Sequence, residues 1–359
     1  MFKKKNILYT LVLFCLFALF SVKCGFSQQK NYLVHTVAFY NLENLFDIID
    51  DPKKFDDEFT PNGAKSWDKH RYEQKLKNLS KVLSEIGYDQ TKQPPTVIGV
   101  CEIENQQVLQ DLVNQPLLKP YNYGIVHYDS PDNRGIDVAL LYRKDYFTPT
   151  NTQRRPLLLF ENDKKSPNGK KRVFTRDQLV VSGKLENEDI HFVVSHWPSR
   201  GGGEKKSEFK RKAAANLNRN IIDSLSNRHK EAKVITMGDF NDTPSNYSVD
   251  KILNISNDKN DVSDHQLYNV LAHFYKKGEG TIAYRDTWMI FDHLIITPAL
   301  LNNEYNSYKL WKSGIFRPSY LIESKGKYKG YPLRNKNDGT PGYSDHFPVY
   351  LYLIKEKRK

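Results

Sequence analysis

The chain has 359 residues, 39% of them hydrophobic and 27% charged, with a formal charge of +12. Those proportions are ordinary for a globular protein and allow one large or two small domains. Two of its three cysteines, Cys15 and Cys24, fall near the N-terminus, leaving Cys101 alone in the rest, which excludes an internal disulfide and a cysteine-based zinc site there.

Lys3, Lys4 and Lys5 precede an apolar run, Ile7 to Phe20, followed by small and polar residues around Ser21, Gly25 and Ser27. This is the order of a secretory signal, and the run is shorter than the roughly 20 residues of a membrane span. The expectation is a signal peptide over residues 1–27, a single domain over 28–359, a secreted or periplasmic protein, and no membrane span after cleavage. Uncleaved anchoring is one alternative. Lipid attachment at Cys24 is another, although Lys23 stands where a small residue is usual. Cleavage removes four lysines and no acid, so +12 becomes +8. A positive balance suits a polyanionic partner such as nucleic acid or an anionic lipid surface.

Nine β-branched, apolar runs follow in chain order, at 34–42, 96–103, 121–128, 136–143, 179–185, 190–197, 234–240, 291–297 and 348–354. Three helical patterns lie among them. Tyr72, Leu76, Leu79, Leu83 and Ile86 share one face, with Gly87 as the stop, and Val108, Leu109, Leu112 and Val113 make a shorter stripe. Phe209, Ala213, Leu217, Ile221 and Leu225 form the third, and the run Lys205, Lys206, Lys210, Arg211, Lys212 reads as its solvated face. Segments 44–66 and 325–343 read as surface loops. Strands with a few interspersed helices suggest one α/β domain of packed sheets covered by helices.

Polar residues gather where these strands end. Asn41 and Glu43 close the first, Glu102 the second, Ser195-His196 the sixth, and Asp239 with Asn241 the seventh. Asp292-His293 open the eighth, and Ser344-Asp345-His346 precede the last. A strand end holds such groups rigidly and gives them an exit from the core. The set has carboxylates, carboxamides and imidazoles but no nucleophilic cysteine, glycine-rich phosphate cradle or HExxH. Oxygen ligands suit a hard ion such as Mg²⁺, and imidazoles beside it suit acid–base work near neutral pH.

FYNLENLFD, VIGVCEIEN, RGIDVALLYR, TRDQLVV, SHWPSR, MGDFNDTPS, FDHLIIT and GYSDHFPV occur in that order over almost the whole chain beyond residue 27. In them the chain resembles the endonuclease/exonuclease/phosphatase superfamily, the pancreatic-deoxyribonuclease-like fold, and within it the secreted bacterial nucleases. The resemblance implies a four-layer αββα sandwich, two packed mixed β-sheets flanked by helices, with the site at one sheet edge. It implies a metal site at Asn41, Glu102 and Asp345 holding Mg²⁺, with Mn²⁺ or Ca²⁺ as alternatives. Glu43 is left open between metal contact and solvent.

The same resemblance assigns Asp239 to the attacking water and Asn241 to the phosphoryl oxygens. His346, oriented by Asp292, is assigned to the scissile phosphate, and His196 to the leaving oxygen. Arg134, Arg176 and Arg200 are phosphate-contact candidates, since a guanidinium fork suits phosphate oxygens. His293 is doubtful, because its neighbour Asp292 faces the other side of the strand. The expected activity is metal-dependent hydrolysis of a phosphodiester, by an endonuclease acting on DNA or RNA, with no stable protein partner implied. A phosphatase or phosphodiesterase for inositol phosphates or phospholipid headgroups is the alternative. Against its inositol branch, Trp288-Met289-Ile290-Phe291-Asp292-His293 departs from the Trp-Cys-Asp-Arg signature. A non-enzymatic adhesion protein is the third reading, opposed by the completeness of the polar set.

Overall fold

The computed structural model describes residues 31–228, 231–256 and 258–357. The expected signal peptide, 1–27, lies outside them. Residues Leu33–Lys355 form one compact unit, and among the described residues outside it Lys357 N–H donates to the Asn31 carbonyl (2.8 Å). Among the described residues no helix is long and apolar enough to cross a membrane.

Two large mixed sheets dominate. The first runs, edge to edge, Lys309–Ile315, Val349–Glu356, Tyr32–Leu45, Val97–Ile103, Asp137–Arg143 and Tyr123–His127. The second runs Ile255–Ser256, Leu267–Asn269, Asp292–Ile296, Val234–Asp239, Glu188–His196, Gln178–Leu185 and Phe147–Arg155. All nine apolar runs read from the sequence lie in these sheets. Four strands of these sheets went unread, two of them, Ile255–Ser256 and Leu267–Asn269, only two and three residues long. Phe147–Arg155 is an edge strand whose residues are mostly polar and exposed, and Lys309–Ile315 is the edge of the first sheet, so neither carries a full apolar face.

Alternation along the strands creates the layers. In Tyr32–Leu45, Val37 and Phe39 point to one side and pack with Phe192, Val194, Ile235 and Met237 of the second sheet. Ala38 and Tyr40 point the other way and pack with Leu76, Leu79 and Leu83 of helix Lys69–Glu85 and Val108 and Leu112 of helix Gln106–Val113. On the far side, Val193, Val234 and Ile295 meet Ala214, Ala215, Ile221 and Ile222 of helix Glu204–Arg228. Three cores between four layers give the αββα sandwich. The sheets approach so closely that a Cβ at Gly99 would overlap Met237 Sδ, which explains the glycine there.

Helix ends follow local chemistry. Asp68 caps helix Lys69–Glu85 by accepting from Arg71 N–H (2.9 Å), and Asn105 caps Gln106–Val113 through Val108 N–H (3.0 Å). In the long helix, buried Asn218 donates to Gln178 Oε1 (3.0 Å) and Ser195 Oγ (3.2 Å), and its Oδ1 accepts from the Thr236 hydroxyl (3.1 Å). One carboxamide therefore fixes the helix to three neighbouring strands, just before two of them deliver His196 and Asp239. Two details of the stripe differ from the sequence reading. Phe209 is 45% exposed, whereas Arg211 of the supposed solvated face is fully buried against Asp242.

Candidate active site

Strand register assembles the site. Asp239 is level with His196 on one side and Asp292 on the other, so three ionisable groups stand in a row at one end of the second sheet. In the first sheet, the pairing of Tyr32–Leu45 with Val97–Ile103 slips after Asn41 and Cys101. These slips coincide with left-handed backbone at Glu43 (φ 48°) and Glu102 (φ 58°), where non-glycine residues are uncommon. Asn241, just past Asp239, is left-handed as well (φ 51°). Bulges and strained residues of this kind re-aim side chains and gather at functional sites.

The two sheets' polar ends meet directly. Asn41 Nδ2 donates to Asp239 Oδ2 (3.1 Å), joining them. His196 Nε2 lies 3.8 Å from Glu102 Oε1 and 3.6 Å from Asp239 Oδ2. His346 Nδ1–H donates to Asp292 Oδ2 (2.7 Å), leaving Nε2 at 3.8 Å from Asp239 Oδ2 and 3.9 Å from Asp345 Oδ1. Ser344 supports this arm, donating its hydroxyl to the Asn41 carbonyl (2.7 Å) and accepting from His346 N–H (3.1 Å). Asn241 N–H donates to Asp239 Oδ1 (2.9 Å), and its side-chain amide donates to the Trp197 carbonyl (3.1 Å). Two buried atoms of the cluster, His196 Nδ1 and Asp292 Oδ1, have no hydrogen-bond partner.

The histidines are electrostatically unlike. Burial, with Arg176, Arg134 and His346 nearby, holds His196 well below the usual imidazole range, so it is neutral. Burial would lower His346 too, but Asp292, Asp239 and Asp345 outweigh it and hold its proton well above that range. Burial pushes Asp239 up to about 7, with Asp292 adding to the rise and His346 opposing it.

Beside Asn41, Glu102 and Asp345 stand Glu43, which the sequence left open between metal contact and solvent, and two residues it left unread, Lys75 and Arg334. Glu43 is buried, accepts from Asn335 N–H (2.8 Å) and faces Arg334 Nε at 3.3 Å. Burial, followed by Asp345, pushes it up to about 8. Lys75 is fully buried, donates to the Tyr343 carbonyl (2.8 Å) and feels Glu43, Asp345 and Glu102; burial lowers it to about 8. Arg334, in the segment read as a plain surface loop, lies 3.8 Å from Asp345 Oδ2. Carboxylates crowded until one retains its proton are short of positive charge, and an all-oxygen set of this kind fits a hard divalent cation.

The three arginines separate. Arg134 is half exposed and close enough to His196 to depress it, so it remains open to a substrate. Arg176 is buried, donating to Asp132 Oδ2 (3.0 Å) and the Trp197 carbonyl (2.7 Å). Asp132 in turn accepts from Arg134 N–H (2.9 Å), so Arg176 acts on the loop that carries Arg134. Asp177, the next residue in the chain, is not its partner, taking Leu157 N–H and Arg154 instead. Arg200 donates Nε–H to the Asn241 carbonyl (2.8 Å), contacts Glu204 and Asn246, and lies over the Phe291 ring (4.7 Å). It buttresses the Asn241 turn.

His293 faces away from the cluster. Its Nδ1 accepts from Asn269 Nδ2 (2.9 Å), its Nε2–H donates to the Asp242 carbonyl (2.9 Å), and burial lowers it to about 4. The unfolded ring takes a proton below about pH 6.5, and the folded ring refuses it until about 4. Stability should therefore fall with acidification across that window, by up to about 3 kcal/mol from this ring alone. Urea midpoints of wild type and His293→Gln between pH 7 and 4.5 should show a shallower decline in the variant; parallel curves would contradict the assignment.

A family model described as "Endonuclease/Exonuclease/phosphatase family" matches residues 36–355. No curated protein matches the chain. Among solved structures the chain is similar to an endonuclease/exonuclease/phosphatase family protein from Bacteroides thetaiotaomicron, 19% identical, covering 91% of this chain and 100% of that one, with TM-score 0.56. It is similar to the mannosyl-6-phosphatase Bt3783 of Bacteroides thetaiotaomicron VPI-5482, 19% identical, covering 89% and 99%, with TM-score 0.55. It is similar also to D. rerio TDP2 complexed with single strand DNA product, 11% identical, covering 89% and 98%, with TM-score 0.51. At these identities the likeness speaks for the fold.

Proposed function

We infer the function from one premise: the chain belongs to the endonuclease/exonuclease/phosphatase family, whose enzymes are metal-dependent phosphoester hydrolases. Within it we read this protein as an exported phosphodiesterase, an endonuclease that cleaves DNA or RNA by in-line attack of water. What supports the reading is that Asn41, Glu102, His196, Asp239, Asp292, Asp345 and His346 converge at one end of both sheets, although 305 positions separate the first from the last. The charge of +8 expected after cleavage (12 − 4) and the open Arg134 favour a polyanion.

Glu102 and Asp345, with Asn41 and Glu43 beside them, would hold the divalent cation, Mg²⁺ or Mn²⁺. When bound, that ion supplies charge neutralisation to the phosphoryl oxygens. Asp239, lifted toward neutrality by burial, accepts a proton from the attacking water, held in place by Asn41 Nδ2 and Asn241 N–H. His346 keeps its proton through Asp292 and presents Nε2–H to a phosphoryl oxygen, a preorganised donor where negative charge grows. Neutral His196 is the group we assign to the leaving oxygen, and Arg134, near enough to depress that ring, the one we assign to the phosphate. Asn241 keeps one amide hydrogen beyond its bond to Trp197 for the same oxygens.

A substrate panel tests this. Supercoiled plasmid, single-stranded DNA, RNA, inositol phosphates and phospholipids would be incubated with Mg²⁺, Mn²⁺, Ca²⁺ or chelator. Nicked plasmid or shortened strands with metal, and none with chelator, is the expected result. Intact nucleic acid under every metal condition, with phosphate released from inositol phosphates or headgroups from lipids, would transfer the same chemistry to the alternative substrates.

A further inference from the structure

We propose that segment 323–336 and the hairpin of strands Ile282–Tyr284 and Thr287–Met289 form a basic, aromatic track that binds single-stranded nucleic acid and leads it into the site. The proposal rests on the nuclease reading and names the form of substrate the site takes. Segment 323–336, ESKGKYKGYPLRNK, contains five basic residues and a single acid, Glu323. Lys325, Lys327 and Lys329 are exposed, and none has an ion pair among the described residues. Tyr328, between the last two, is 56% exposed beneath the Lys327 ammonium (5.7 Å), and on the hairpin Tyr284 is 60% exposed beneath the Arg285 guanidinium (5.2 Å).

The rings are continuous with the catalytic cluster. Tyr328 lies 5.7 Å from Tyr331, Tyr331 lies 6.0 Å from Trp288, and Trp288 lies 6.0 Å from Phe347, the residue after His346. At the other end of the segment, Arg334 reaches Glu43 and Asp345. The track is also held still. Asp286 N–H donates to the Tyr331 hydroxyl (2.7 Å), which donates to Asp286 Oδ1 (2.7 Å), tying hairpin and segment together. Glu323 N–H donates to the Tyr331 carbonyl (2.8 Å), closing the loop on itself.

Trp288 and Phe347 are accounted for by core packing, but Tyr328, Tyr284 and three lysines without an ion pair among the described residues are not. Lysines alone would serve any polyanion. Aromatic faces interleaved with them suit a ligand with its own flat faces uncovered, which a single strand offers and a duplex hides. A small phosphomonoester would span none of this surface.

Binding of a labelled single-stranded oligonucleotide, in chelator so that nothing is cleaved, tests the track by fluorescence anisotropy. Tyr328→Ala should weaken binding about 5- to 100-fold, as for loss of one stacked base. Replacing Lys325, Lys327 and Lys329 together by Ala should flatten the dependence of log affinity on log salt by about 2. In turnover with metal, the oligonucleotide's kcat/KM should fall relative to that of the small diester bis(p-nitrophenyl) phosphate. Unaltered affinity and salt slope in both variants would overturn the proposal. So would preference for duplex of equal length, or binding to anionic vesicles without oligonucleotide binding. If wild type fails to hydrolyse even the small diester, the enzymatic reading falls, while the anisotropy result still decides the track.

Discussion

Asp239→Asn is expected to lower kcat for phosphodiester hydrolysis about 10²- to 10⁴-fold, the range for loss of a positioned general base, without lowering the melting temperature. Asparagine keeps the shape and its oxygen still accepts from Asn241 N–H, so the turn that follows stays in place, at the loss of the bond from Asn41 Nδ2, which an amide nitrogen cannot accept. The proton acceptor is what disappears. The stability result follows from the carboxyl's upward displacement to about 7 by burial. The unfolded carboxyl ionises near 4 and the folded one only near 7, so the native state of wild type loses stability as pH rises through that window. The amide has no such cost. In chelator the variant should therefore melt at or above wild type at pH 8, and the gap should close toward pH 4. A variant that is inactive because it is misfolded would melt lower at both pH values, and one that retains full kcat would remove Asp239 from the mechanism.

That combination, a group costly to the fold and needed by the chemistry, also explains how much the sequence disclosed. Polar residues at strand ends were legible because an apolar run that stops at Asp239 or His196 has no packing reason to stop there. Packed sheets covered by helices were legible in the mix of strand and helix patterns, while the four-layer αββα order came from the family resemblance; Val37-Ala38-Phe39-Tyr40, apolar on both faces, shows the layer on each side that it requires. Bulges and left-handed backbone at Glu43 and Glu102 were not, since their residues are not the glycines such conformations favour and only tertiary contacts hold them there. Lys75 offered a faint signal: it sits within the apolar stripe of its helix, beside Leu76 and between Tyr72 and Leu79, where a lysine is out of place unless a buried anion faces it. Arg211 gave none, being one cation in a run of five, and charge runs are ordinarily solvated. Its neighbours Lys210 and Lys212 behave as expected, pairing with Glu161 and Glu208 near the surface.

Arg211→Met should destabilise the protein by about 3–5 kcal/mol, the largest loss expected from any single charge removal here. Arg211 is fully buried, with Nε 2.6 Å from Asp242 Oδ1, Nη1 donating to Ser207 Oγ (2.8 Å) and Nη2 to the Glu204 carbonyl (2.9 Å). Asp242 is equally buried, and beyond Arg211 it has Ser248 Oγ (2.5 Å) and the partly exposed Arg200 at 3.3 Å. Methionine fills the volume of the arginine stem but leaves the carboxylate short of its main counter-charge, and burial already raises that carboxyl. The penalty belongs to the abandoned anion more than to the lost bond, which yields a second expectation. Arg211→Met combined with Asp242→Asn should recover most of the stability, because a neutral pair of similar volume replaces a buried ion pair at little cost. The site reports on the same contact, since Asp242 follows Asn241 and its carbonyl holds His293. The single variant should therefore lose activity through a displaced Asn241 turn, and the double variant should regain both its urea midpoint and its kcat; additive destabilisation in the double variant would show that the pair acts through packing alone.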